Sequence, residues 1–198
     1  MDDITTDEPQ RPWAVPPPGG YGVEEFFGLP GLPRHAELID GGVVVAAPRR
    51  AFDSVAQSLL WDGLRRTAPG HLRVRGDMAV VLGDRDVLEP DVLVVRAVGA
   101  WDPRRDRYDV ADVVLAGEVI SPDSERRDRK IKPGKYARAG IPYFWLVEMV
   151  GEDDHAAVHT YELDAVTQSY GVTGVHHQRL KTTVPYAIDI DLTQIYDA

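Results

Sequence analysis

Glu89-Pro90-Asp91-Val92-Leu93-Val94-Val95-Arg96 is the stretch on which the reading of the fold turns. Pro90 cannot donate to a sheet ladder, so it belongs at or before the first residue of a strand. From Val92 to Val95 the apolar side chains fall on both parities, which marks a strand covered on both faces. Asp112-Val113-Val114-Leu115-Ala116-Gly117-Glu118-Val119-Ile120 has the same character. Asp91 stands at the start of the first run and Glu118 near the end of the second. If the runs pair as antiparallel neighbours, the two acids face each other with Cβ atoms roughly 5 Å apart. Carboxylates that close repel unless a cation lies between them or one takes up a proton. Oxygen-only ligands of this kind suit Mg²⁺ or Mn²⁺, with waters completing the shell. The alternative is that Asp91 caps a turn and Glu118 pairs with an arginine.

Working outward, Glu37-Leu38-Ile39-Asp40-Gly41-Gly42-Val43-Val44-Val45 reads as an N-terminal hairpin around an Asp-Gly turn. Val23 to Leu29 suits a short helix that Pro30-Gly31 ends. A longer helix is expected over Asp53 to Arg66, with Asp53 as N-cap and Pro69-Gly70 as its stop. Leu72 to Arg75 and Met78 to Leu82 are short strands. A second helix runs from Lys132 or Pro133 to Ala139, with Gly140 just past its end. Tyr143 to Glu148 is a strand, Val158 to Leu163 with Ser169 to Val175 a C-terminal hairpin, and Ile188 to Leu192 a last short element. This order gives an α+β fold, a mixed β-sheet flanked by helices with a hairpin at each end. Residues 1 to 20, with their acids and Pro-Pro-Pro-Gly-Gly, read as a disordered tail ahead of one domain over 21 to 198.

The chain of 198 residues has no cysteine, which excludes disulfides and thiolate metal sites. It offers no apolar run of the roughly 18 residues a membrane helix needs and no export signal at its start, so a cytoplasmic protein is expected. The net charge of -10 argues against non-specific wrapping of long duplex DNA, which needs cationic surface. Charge is uneven, however. Seven Lys or Arg and the single acid Asp128 lie between Arg126 and Arg138. The run is either a solvated face or one cationic lip on an acidic body.

The acidic strand around Pro90-Asp91 resembles that of the PD-(D/E)XK nuclease superfamily. Gly117-Glu118-Val119-Ile120-Ser121-Pro122-Asp123-Ser124, Arg127-Asp128-Arg129, Lys132, Tyr136-Ala137-Arg138-Ala139-Gly140-Ile141-Pro142 and Trp145-Leu146-Val147-Glu148 are more specific. With Glu37 to Gly41, Val184-Pro185-Tyr186 and Ile188 to Leu192, they resemble the Uma-two family of restriction-endonuclease-like proteins. The resemblance implies a restriction-endonuclease-like fold and a metal-dependent hydrolase of DNA phosphodiester bonds. It implies Asp91, Glu118 and the Val119 carbonyl as ligands of Mg²⁺ or Mn²⁺. Two departures stand out. Ile120 occupies the position where the superfamily pattern has lysine, which points to Lys132 on the following helix, with Lys130 and Lys135 as competitors. Phe52 stands where relatives often carry a histidine.

Glu37 has two readings, an outer ligand or a hairpin ion-pair partner, and Gln57 is a further accessory candidate. Arg126, Arg127, Arg129, Lys130 and Lys135 form the expected nucleic-acid lip, and Arg104-Arg105-Asp106-Arg107 is either a phosphate-contacting loop or a plain solvated one. His155 and His159 have helical spacing in a segment that reads as loop and strand, so two exposed histidines are expected. Trp61, Trp101 and Trp145 suit core or interface positions. The expected partners are DNA and a second copy of the chain, as a homodimer. The competing function is a catalytically silent module on the same fold that binds nucleic acid or protein.

Overall fold

Asp40 and Gly41 both adopt positive φ, 52° and 82°, the two-residue turn that matches the twist of a hairpin. In the computed structural model, which describes Trp13 and residues 15–97, 102–152 and 154–196, this turn joins β1 (Ala36–Ile39) to β2 (Gly42–Val45) after a short helix, α1 (Val23–Phe27). There follow α2 (Ala51–Thr67), β3 (Leu72–Arg75), β4 (Ala79–Gly83), β5 (Asp86–Leu88), β6 (Val92–Arg96), β7 (Arg107–Asp109) and β8 (Val113–Val119). Next come α3 (Glu125–Lys130), α4 (Lys132–Arg138), β9 (Tyr143–Val150), β10 (His155–Asp164), β11 (Ser169–His176), β12 (Arg179–Thr182) and β13 (Ile188–Asp191).

The strands form several sheets rather than the single one expected. A six-stranded sheet has the order β11-β10-β9-β8-β6-β3, antiparallel except for the parallel β8–β9 pair, which α3 and α4 connect. A five-stranded sheet, β2-β1-β5-β4-β7, takes in the N-terminal hairpin, and β12 pairs with β13. The second sheet was hidden because β5 and β7 are three residues each, too short to show a period.

Both faces of β6 are covered, as its sequence requires. Val92 and Val94 pack with Ala56, Leu60 and Leu64 of α2 and with Ile190 of β13. Leu93 and Val95 pack with Tyr136 of α4, Phe144 and Val80. Gly63 is needed where β13 crosses α2, since a Cβ there would meet Ile190 at 2.5 Å. The start of α2 differs from expectation. Asp53 lies inside the first turn, where its carboxylate accepts the Arg50 backbone N–H at 2.9 Å, the carboxylate half of a capping box.

The expected tail falls outside the described residues except for Trp13 and residues 15–20. Trp13 is buried, and Gly20 lies so near the Gly41 backbone that a Cβ would come within 2.8 Å of it. Among the described residues no helix is long and apolar enough to cross a membrane.

Candidate active site

The β6–β8 register pairs Val92 with Gly117, which sets Asp91 and Glu118 one step further along at the same end of the two strands. Asp91 lies just before β6, and its Oδ2 accepts the Val119 backbone N–H at 2.6 Å. Its side chain is only 13% exposed. Burial pushes its carboxyl up to about 6, against the pull of the Arg49 guanidinium and the Val119 N–H. Glu118 is more deeply buried. Its Oε1 accepts the Tyr136 hydroxyl, and its Oε2 lies 3.0 Å from Lys132 Nζ. Burial holds its carboxyl well above the usual range, and the nearby Asp128, Asp91 and Glu37 add to that while Lys132 opposes it.

Lys132 is the first residue of α4, and its Nζ sits among three carboxylates. It is 2.9 Å from Glu37 Oε1, 3.0 Å from Glu118 Oε2 and 3.2 Å from Asp128 Oδ1. Burial works against its charge, yet Glu118, Glu37 and Asp128 outweigh burial and hold its pKa well above the ordinary lysine range. Glu37, read as an outer ligand or a hairpin ion-pair partner, lines the site and makes its ion pair with Lys132 of α4 rather than within the hairpin. Its Oε1 also accepts the Glu89 backbone N–H at 2.9 Å and so reaches inward from β1. Gln57 of α2 donates from Nε2 to the Asp91 carbonyl at 2.8 Å and to Asp77 Oδ1 at 2.9 Å, which steadies the strand start behind the acid.

These groups open onto a cavity of about 490 Å³ whose wall includes Glu37, Glu89, Asp91, Glu118, Val119 and Asp128. Arg34, His35, Arg49 and Arg127 also line it. Carboxylates outnumber the deeply placed cations, and the ligating atoms that Asp91 and Glu118 offer are oxygens, a donor set that fits a hard divalent ion. A second group able to hold a metal stands beside it. His35, Asp77 and Glu89 each offer a ligand atom within 4.8 Å of the others.

The family model described as "Putative restriction endonuclease" matches residues 23–193 of this chain. The chain belongs to the Uma2 family. Its fold is similar to the crystal structure of a "putative nuclease" belonging to DUF820 from Anabaena variabilis, with a TM-score of 0.68 at 16% identity, over 89% of this chain and 98% of that one. No curated protein matches it.

Several residues singled out in this Uma2 sequence take other places. Lys135 does not join the cationic lip. It is buried, with Nζ 2.8 Å from Asp40 Oδ1 and 2.6 Å from Asp86 Oδ1, and pins α4 to the turns of the second sheet. Arg129 bridges Glu125, at 3.2 Å, and Glu148. Arg127 lines the cavity and reaches Asp123 at 3.5 Å, while Arg126 and Lys130 are exposed. Arg104, Arg105 and Arg107 do not line the cavity; Arg107 lies over the Phe27 ring at 3.9 Å and Arg105 over Tyr108 at 5.1 Å. β10 begins earlier than expected and takes in His155 as well as His159; both are only partly exposed, His159 Nε2 being 2.7 Å from Glu148 Oε1. Trp145 is buried, Trp61 partly so, and Trp101 lies outside the described residues.

Asp128 and Arg49 were missed as site residues. Asp128 carried a signal, the i, i+4 spacing to Lys132 in a run otherwise basic. It was masked because α3 reads Glu-Arg-Arg-Asp-Arg-Lys, with no apolar face to announce a helix. Arg49 sits in the segment between β2 and α2 and carried no signal at all.

Proposed function

We propose that this Uma2 chain is a cytoplasmic, Mg²⁺- or Mn²⁺-dependent nuclease that hydrolyses DNA phosphodiester bonds, acting through one domain over residues 21 to 198. The observation that carries the reading is Asp91 and Glu118 at adjoining strand ends with Lys132 Nζ 3.0 Å from Glu118, all on one cavity wall. Asp91, Glu118 and the Val119 carbonyl would hold the ion. Bound there, it supplies a water of lowered pKa and a polarised phosphoryl oxygen. Lys132 orients the attacking water and offsets charge on the phosphate. Glu37 and Asp128 hold its ammonium in place. Tyr136 fixes the rotamer of Glu118. Arg126, Arg127 and Lys130 contact phosphates along the strand, with Arg129 behind them.

A homodimer extends the reading, one cavity for each strand of a duplex. β11 is the edge strand of its sheet and exposes Val172 and Val175, the kind of edge a second copy can cover. A monomer in light scattering at high micromolar concentration removes that extension.

A second reading is favoured by the ion pairs themselves, since Arg49 lies on Asp91 and Lys132 on Glu118. A catalytically silent module that binds nucleic acid or protein would be held together in this way. Cleavage of labelled single- and double-stranded DNA with Mg²⁺ or Mn²⁺ separates the two. The nuclease cuts. Asp91→Asn, which removes a ligand charge, abolishes both Mg²⁺ binding and cutting. Lys132→Met lowers cutting by about 10²-fold or more, on the scale of losing one oxyanion-type donor. A parent chain that cuts neither substrate supports the silent module.

A further inference from the structure

Four oxygens belong to the Asp91–Glu118 pair, and three of them have partners that cannot readily leave. Asp91 Oδ2 is held by the Val119 backbone N–H. Glu118 Oε1 and Oε2 are held by Tyr136 and Lys132, both buried. The fourth, Asp91 Oδ1, is held at 2.7 Å by Nη2 of Arg49, whose side chain is 31% exposed. Arg49 follows β2 in a segment without helix or strand. The next residue is anchored independently. The Arg50 backbone N–H donates to Asp53 Oδ2 at 2.9 Å, and its guanidinium donates to the Ile120 carbonyl at 3.1 Å. The Arg49 side chain can therefore turn while its backbone stays.

Its guanidinium spans three elements at once. Nη2 also touches Asp77 Oδ1 at 2.5 Å, and Nη1 donates to Gln57 Oε1. A planar five-donor fork with an excess of acceptors around it neutralises buried carboxylates as a divalent ion would. Once released, the same fork suits a phosphate, which it can grip bidentately. The cavity rim where it would then stand already carries Arg34 and Arg127.

We propose that Arg49 is an exchange cation. It holds Asp91 Oδ1 while no metal is bound, yields that oxygen to the divalent ion, and then binds a phosphate of the nucleic acid. The proposal rests on the nuclease reading and adds a positioning and phosphate-binding residue to it. It makes metal binding and phosphate binding mutually supportive, because each leaves the other a free partner.

The test is Mn²⁺ titration by calorimetry on the full chain and on its Arg49→Met, Arg49→Lys and Asp91→Asn variants, with far-UV circular dichroism to check folding. Removing the competitor should tighten Mn²⁺ binding by about tenfold to a hundredfold in Arg49→Met, the scale of one charge-assisted hydrogen bond. Arg49→Lys, which keeps the charge without the fork, should fall between and remains informative if the methionine variant does not fold. Binding of a short single-stranded phosphorothioate oligonucleotide in the presence of Mn²⁺ should weaken in Arg49→Met, and its salt dependence should lose about one counterion. If Mn²⁺ binds parent and Arg49→Met equally and fails only in Asp91→Asn, the metal site stands and the exchange is overturned. If Mn²⁺ binds none of them, the exchange and the metal-dependent reading fall together. Tighter metal binding with an unchanged oligonucleotide salt slope overturns the phosphate half.

Discussion

Lys132 and Lys135 stand three residues apart on the same short helix and are equally buried, at 5% exposure each, yet they serve opposite electrostatic ends. Around Lys132 the partners are buried too: Glu37, Glu118 and Asp128 crowd one ammonium, and Asp91 is near enough to raise Glu118 further. Around Lys135 the partners are Asp40 and Asp86, and Asp40 is 79% exposed. The Lys135 hydrogen bond holds the Asp40 carboxyl below its ordinary range, whereas burial drives Glu118 the other way. One cluster is open to water, and Arg138 and Arg85 add positive charge near Asp40. The other has more negative charge than its lysine can neutralise and little water to screen it. Residual charge of that kind is where a cation binds and where a functional site is expected.

The largest expected effect tests whether the clusters differ in kind. Lys132→Met leaves several buried carboxylates without their cation and should cost about 3–5 kcal/mol of stability at neutral pH, read by urea denaturation. The loss should shrink as pH falls, because Glu118, whose carboxyl burial already holds well above the usual range, takes up a proton. Equal losses for Lys132→Met and Lys135→Met would erase the distinction.

Asp91 sharpens it. Its folded-state carboxyl titrates near about 6, above its ordinary 3.8. Between those values the folded chain holds a proton that the unfolded chain has released. Folding is thus favoured on the acid side, and that contribution disappears as pH rises through about 6. Asp91→Asn carries no such proton. Its stability relative to the parent should therefore rise between pH 4 and pH 7, by up to about 2–3 kcal/mol. Thermal melts across that range check it, and a flat or falling difference removes the claim that Asp91 is strained by burial.

Lys135→Met should cost less, about 1–2 kcal/mol, since the carboxylates it leaves reach water. Calorimetry should find Mn²⁺ affinity unaltered in this variant. Lys130→Met is the smallest change, within about 0.5 kcal/mol of the parent in stability. It should reduce the salt dependence of oligonucleotide binding by about one counterion. A larger stability change would place Lys130 in a structural pair like that of Lys135.

Which parts were legible follows from how each signal is encoded. Val92 to Val95 and Val113 to Val119 announced two strands covered on both faces because residue type and alternation are local. The Asp40-Gly41 turn was readable for the same reason, since positive φ favours Asp-Gly at those positions. β5 and β7 were not readable, because three residues hold less than two full alternations. α3 was missed because its six residues are all charged. Asp53 stands at the third position of α2 rather than at its N-cap, and a carboxylate inside the first turn and one just ahead of it give nearly the same local pattern.

The sequence by itself determined the two acidic strand ends, the N-terminal hairpin and the basic stretch leading into α4. Each is written in neighbours along the chain. Only the tertiary structure decided which lysine meets Glu118, that Glu37 reaches across from β1 to join it, and that Arg49 covers Asp91. The physical reason is reach. A lysine or arginine side chain can swing through several ångströms, so its partner depends on where distant elements pack. That packing is set by the apolar faces of β6, β8 and α2 rather than by the charged residues themselves.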